Sequence, residues 1–255
     1  MHVGRLFGLA MAAVLLALPA PGPAAPSGKL AARPSAGVTA APPGIARLIN
    51  GAVAYRPATA RPGPLPLLVL LHGSDGKARR FLDLFRPLAD AEGYALLALQ
   101  SAAWDWDIGA AVAEQMRRGT AGKVAPDFGR DPARIDAVLA QYFAANAVDR
   151  IVLVGFSDGA AYALSLGLAN PELFPAVVAL SPGFVKLPPE FGPGQRVFIA
   201  HGRSDRVLPF ATGRQLAEVL ARTSLSVRFH PFDGDHVISR AALDAGLAFA
   251  LDGTG

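Results

Sequence analysis

Six continuous apolar runs of strand length constrain this chain more than any other feature. They are "LPLLVLL" at 65–71, "YALLALQ" from Tyr94, "RIVLVGF" from Arg150, "AVVALS" from Ala176, "RVFIAHG" from Arg196 and "LSVRFHP" from Leu225. A strand with one wet face alternates apolar and polar side chains, whereas an unbroken run suits a strand covered on both faces. Helical spacing fills the gaps: "RRFLDLFRPLADAEG" from Arg79, closed by Gly93; "DPARIDAVLAQYFAAN" from Asp131; "PFATGRQLAEVLART" from Pro209; and "SRAALDAGLAFALD" from Ser239. In the second of these, Asp131 is placed to cap and Pro132 to occupy the first helical position. Strand and helix alternating in this way predict one three-layer α/β domain with a mostly parallel central sheet. Sites in such sheets lie at the carboxyl ends of the strands, so the residues after each run carry the chemical interest.

Composition narrows the function classes. Of 255 residues 52% are hydrophobic and 17% charged, enough apolar surface for a full-sized core. The formal charge is only +4, and Lys and Arg are scattered with no aromatic-flanked run, so the basic balance reads as solubility and no nucleic-acid partner is expected. The absence of cysteine excludes disulfides, thiolate metal sites, a cysteine nucleophile and a lipid-attachment cysteine. At the N-terminus one Arg precedes an apolar run from Leu6 to Leu18, then Pro, Gly and Ala with a small-x-small site at Gly22 to Ala24. That layout predicts a signal peptide over residues 1–25 and export to the periplasm or outside the cell, with an uncleaved membrane anchor as the alternative. The run falls short of the roughly 20 residues a span needs, so no stable membrane span is expected after its removal. Residues 26–44, rich in Pro, Ala and Gly, read as a flexible linker, which leaves the folded domain at 45–252.

At the end of the third run stands "GFSDG". Gly155, Ser157 and Gly159 fit the G-x-S-x-G nucleophile elbow, with a strand before the serine and the small-residue helix "AAYALSLGLA" after it. A serine hydroxyl needs a histidine to take its proton and a carboxylate to orient that histidine. Of five histidines, His2 lies in the signal, His72 and His201 each end a strand before a glycine, and His230 falls within a strand. His236, in "FDGDHVIS", lies in a loop between the last strand and the last helix and is the expected base. Asp205, in the loop after the strand ending at Ala200, is the expected acid. Asp233 and Asp235 are rivals, but they sit too close to His236 in sequence to meet its ring easily. An anion hole needs two backbone N–H groups: one from Asp158, after the nucleophile, and one from Ser74, in the loop opened by His72 and Gly73.

"LHGSDG", "GFSDGAAYALSLGLANPELFPAVVALSPGF", "HGRSDRVLP" and "FDGDHV" together resemble the α/β-hydrolase superfamily, and within it the phospholipase/carboxylesterase group of serine esterases. The resemblance covers roughly residues 65 to 250 and implies a Ser157, Asp205 and His236 triad acting on carboxylic esters through an acyl-enzyme, without metal or organic cofactor. Many relatives carry Gln or Met where this chain has Asp158, and a carboxylate there raises the barrier unless it points away or is paired. Export favours a small-molecule or lipid-like ester over the thioesters of cytosolic relatives. The stretch 101–129 reads as a loop that offers Trp104 and Trp106 as candidate pocket residues, with Phe184 as another candidate wall, and packing is the default reading for each of the three. No insertion is long enough for a large cap domain. Two other readings stay open: an acyltransferase on the same triad, and a non-catalytic binding protein on a hydrolase fold.

Overall fold

A computed structural model describes residues 28–39, 41–118 and 127–252, so the expected signal peptide lies outside the described residues. All six apolar runs are strands: β3 (Leu65–Leu71), β4 (Ala95–Leu99), β5 (Val148–Phe156), β6 (Ala176–Leu180), β7 (Arg196–Gly202) and β8 (Ser226–Phe232). They pair in parallel, and the order across the sheet is β1-β2-β4-β3-β5-β6-β7-β8. Two short strands, β1 (Gly44–Arg47) and β2 (Val53–Arg56), add an antiparallel hairpin beyond β4. Sequence reasoning missed both, since four-residue strands carry no periodicity to detect and every residue of β1 is exposed.

The continuous runs divide by parity, as a pleated strand requires. Leu67, Val69, Leu71, Leu97, Leu153, Val177 and Ile199 face one layer, built on α3 (Asp131–Ala145), α4 (Asp158–Ala169) and α5 (Phe210–Leu220). Leu68, Leu70, Leu96, Val152, Val178 and Phe198 face the other, built on α1 (Ala78–Glu92) and α6 (Arg240–Leu251). Removing one such leucine would cost about 2–5 kcal/mol through lost transfer energy and the cavity left behind. The architecture is the expected three-layer α/β sandwich, with an edge hairpin added.

Three local expectations need correction. Residues 107–117, within the stretch read as a loop, form helix α2 (Asp107–Arg117). Its sequence, "DIGAAVAEQMR", carries Ile108 and Val112 at helical spacing, a pattern that sequence reading passed over. Asp131 does not cap its own helix. Instead Asp107 and Asp131 cap each other's: the Asp131 carboxylate accepts the Asp107 N–H at 3.1 Å, and the Asp107 carboxylate accepts the Asp131 N–H at 2.6 Å. Finally, the expected linker is in part a docked strap. Leu30 and Ala32 are buried. The Asn170 side chain accepts the Leu30 N–H at 2.8 Å and donates to the Gly28 carbonyl at 2.9 Å, while Asp136 accepts the N–H groups of Ala31 and Ala32 at 2.7 and 2.8 Å. Composition alone could not show this, because the acceptors lie more than 100 residues away.

Candidate active site

Ser157 sits between β5 and α4 with φ 56° and ψ −122°, in a region non-glycine residues rarely visit. The turn is held by the Ser157 N–H donating to the Leu180 carbonyl at 2.9 Å, and by the Ser157 carbonyl accepting from Ala160 and Ala161. Its flanking glycines are dictated by crowding. A Cβ on Gly155 would lie 2.1 Å from the Gly159 carbonyl oxygen, and one on Gly159 would lie 2.2 Å from that of Leu71. The elbow thus projects the hydroxyl at the carboxyl end of the sheet, as its spacing implies.

Two loops at the same edge deliver the partners. His236 Nε2 lies 2.9 Å from Ser157 Oγ, and its Nδ1 lies 2.8 Å from Asp205 Oδ2. The imidazole packs on Phe156, with ring centroids 4.8 Å apart. Asp205 is fully buried. Burial by itself would raise its carboxyl, but the bonds from His236 and from the Leu208 and Val207 N–H groups prevail and hold it below the ordinary value. An ionised acid here leaves the proton on Nδ1 and the Nε2 lone pair facing the serine. The rival Asp235 binds elsewhere: it accepts the Arg206 N–H, the Arg206 guanidinium and the His236 N–H, which lower it to about 2. Asp233 is exposed and pairs with Arg203.

A group that sequence reading set aside also touches the acid. His201 is fully buried; its Nε2 lies 2.9 Å from the Leu208 carbonyl and 3.2 Å from Asp205 Oδ2. Both neighbours accept, so Nε2 carries the proton, and Nδ1 has no partner among the described residues. The signal was present as "HG" four residues ahead of Asp205, but nothing in one sequence separates it from an ordinary turn.

On the opposite side, the loop after β3 folds back at Gly76, whose N–H bonds the Gly73 carbonyl at 3.0 Å. Gly73 lies against the nucleophile, where an added Cβ would sit 3.2 Å from Ser157 Cβ. His72 shapes this loop from inside: it is buried, bonds the Gly73 carbonyl through Nδ1 at 2.7 Å, and lies 3.0 Å from the Gln100 amide nitrogen through Nε2. Desolvation lowers its pKa and keeps it neutral. Among the described residues no backbone acceptor engages the Ser74 or the Asp158 N–H.

The expected pocket residues part company. Trp104 and Phe184 are 64% and 49% exposed on loops leaving the carboxyl ends of β4 and β6. Trp106, expected beside them, is fully buried. It stacks on Tyr162 with centroids 5.1 Å apart and donates its indole N–H to the His72 carbonyl at 2.8 Å, so it is a structural residue and not a pocket wall. Leu187, Val207 and Val237 are exposed apolar residues on the same family of loops that sequence reading did not single out.

Comparisons with known proteins bear on the fold and, over part of the chain, on the family. Residues 133–249 match the family described as Phospholipase/Carboxylesterase. Acyl-protein thioesterase 1 of Neurospora crassa is 33% identical over 106 residues, which are 38% of this chain and 43% of that protein, so the chain spans less than half the length of this curated relative. Among solved structures, esterase PE8 superimposes with a TM-score of 0.57 at 24% identity, covering 82% of this chain and 96% of that one. TT1662 from Thermus thermophilus gives 0.54 at 22%, with 81% and 95% covered, and the Bacillus cereus carboxylesterase 0.53 at 19%, with 78% and 92% covered. At these identities the structural likenesses speak for the fold.

Proposed function

We propose that this chain is a member of the α/β-hydrolase superfamily, a reading supported by the family match over residues 133–249 and by the shared fold, and that it hydrolyses carboxylic esters through Ser157, His236 and Asp205. The reading rests on one unbroken line of contacts: Ser157 Oγ to His236 Nε2 at 2.9 Å, and His236 Nδ1 to Asp205 Oδ2 at 2.8 Å. His236 takes the Ser157 proton as Oγ attacks the ester carbonyl. The carbonyl oxygen gains negative charge and is met by the N–H groups of Ser74 and Asp158. Collapse of this intermediate expels the alcohol, which receives the proton from His236 and leaves the acyl group on Ser157. Water, deprotonated by the same imidazole, then releases the acid and restores the enzyme. Each oxyanion donor is worth about 3–4 kcal/mol of transition-state stabilisation.

The exposed Trp104 and Phe184 supply apolar contact for an acyl or alcohol group. Export through residues 1–25 is part of the proposal, supported by the apolar run from Leu6 to Leu18 and the small residues after it; an exported enzyme meets oxygen esters more than intracellular thioesters. Hydrolysis of a p-nitrophenyl ester series of increasing chain length, with an acyl thioester alongside, tests the reading. Ser157→Ala is expected to lose about 10⁴-fold or more of turnover while keeping its fold. Turnover that survives the substitution, or no turnover with any ester and no labelling by a fluorophosphonate, would sink it.

A further inference from the structure

The residue after the nucleophile is the unusual one here, and its side chain does something its backbone role does not require. The Asp158 carboxylate reaches across to the start of α2 and accepts the Trp106 N–H at 2.7 Å through Oδ2. Its other oxygen fills the space over Gly109, where a Cβ would come within 1.8 Å of Oδ1, so only glycine at that position leaves room for the carboxylate. Residues 101–106, which Asp158 thereby anchors, are in turn bonded to the loop after β3. The Trp104 carbonyl accepts the Asp75 N–H at 2.9 Å, and the Trp106 indole donates to the His72 carbonyl at 2.8 Å. Ser74 lies between those two attachment points.

Because both walls of the anion hole meet at this one carboxylate, we infer that Asp158 is a positioning residue whose side chain, acting through Trp106, sets the placement of the Ser74 N–H relative to its own. The inference rests on the hydrolase reading above and deepens it. A carboxyl oxygen accepts the Trp106 N–H whether or not the group is protonated, so the role belongs to the acceptor and not to the charge. An amide oxygen has the same capacity. The arrangement also answers the difficulty a carboxylate poses beside a developing anion: it is turned away from the hole and paired with a backbone donor.

The test compares Asp158→Ala, Asp158→Asn and Gly109→Ala with the wild-type protein and Ser157→Ala, measuring kcat and KM on one p-nitrophenyl ester per folded protein as counted by circular dichroism. A misplaced oxyanion donor acts in the transition state, so Asp158→Ala is expected to lower kcat about 10- to 100-fold with KM changed little, well short of the Ser157→Ala loss. Asp158→Asn should recover most of that loss. Gly109→Ala, which drives the carboxylate from its seat while leaving Asp158 in place, should reproduce the fall in kcat and decides the matter if Asp158→Ala does not fold. A residue that only stabilised the fold would lower the melting temperature and leave kcat per folded molecule alone. Wild-type kcat in folded Asp158→Ala or Gly109→Ala, or an Asp158→Asn as slow as Asp158→Ala, overturns the assignment. A wild-type protein without turnover, or an active Ser157→Ala, removes the hydrolase reading and this assignment with it, and is told apart by those two controls.

Discussion

The two sides of the site are built differently. On the base side, after β7 and β8, the connections are local loops whose carboxylates bind their own backbone: Asp205 accepts from Val207 and Leu208, and Asp235 from its neighbour His236. Between the two loops, Asp235 accepts the Arg206 N–H and guanidinium, Arg203 pairs with Asp233, and the Arg203 and Ser204 N–H groups donate to the Phe232 and Gly234 carbonyls. On the anion side the bonds that anchor Trp106 are long in sequence and wholly or partly buried. Trp106 reaches His72 across 34 residues and Asp158 across 52, and Trp106 itself has no exposed surface. In the proposed mechanism the first side holds groups that exchange protons with substrate and water. The second holds backbone donors that only need to stay still, and packing plus long-range bonds achieve that better than a hinged loop.

The sharpest way to break the base side is Asp205→Asn. The amide would present a donor to His236 Nδ1 and favour the wrong tautomer, so turnover should fall about 10⁴-fold with the fold intact; a near-normal rate in an ester assay would mean the acid lies elsewhere. On the anion side, Trp106→Phe keeps most of the ring stack but leaves the buried His72 carbonyl without its indole donor. The expected cost is about 1–3 kcal/mol of stability in urea unfolding, and no change in the midpoint would show that the bond contributes nothing. The smallest effect comes from pH. Desolvation raises the Asp158 carboxyl to about 7, and desolvation with the nearby Asp107 charge raises Asp131 to about 6. Above pH 7 the fold carries both as charged, poorly solvated groups. As pH falls below that, the folded form takes up protons that the unfolded form does not bind until near its ordinary carboxylate value, so these two groups add stability as the solution is acidified toward pH 4. The buried, neutral His72 works in the opposite direction over the same range, so the readout is the difference between proteins: a melting temperature that responds more favourably to acidification from pH 8 to about 5.5 in the wild type than in Asp131→Asn would match, and equal responses would separate the effect from Asp131.

The same contrast explains what the sequence made legible. Ser157, His236 and Asp205 each follow an apolar run at a spacing that short-range rules describe, and the parallel core follows from the runs themselves. For Trp106 the packing alternative holds, and what separates packing from a pocket wall is its stacking partner Tyr162, 56 residues on, which no local pattern announces. The carboxylate of Asp158 and the vacancy at Gly109 form a pair that neither residue signals alone. The strap failed for a related reason: its apolar content is a single seated leucine, and its acceptors, Asn170 and Asp136, belong to the far half of the chain.

That strap has a practical bearing on where the protein can be cut or extended. Asn170 is buried; its side-chain nitrogen donates to the Gly28 and Leu166 carbonyls and its oxygen accepts the Leu30 N–H, so a chain started at the first strand would take the donor from that oxygen and open the seat of Leu30 to water. Gly28 also abuts the Phe128 ring, with no room there for a side chain. Any fused peptide or affinity handle at this end therefore has to leave the main chain ahead of Gly28, and the shortest fully sealed form of the molecule is longer than its sheet implies.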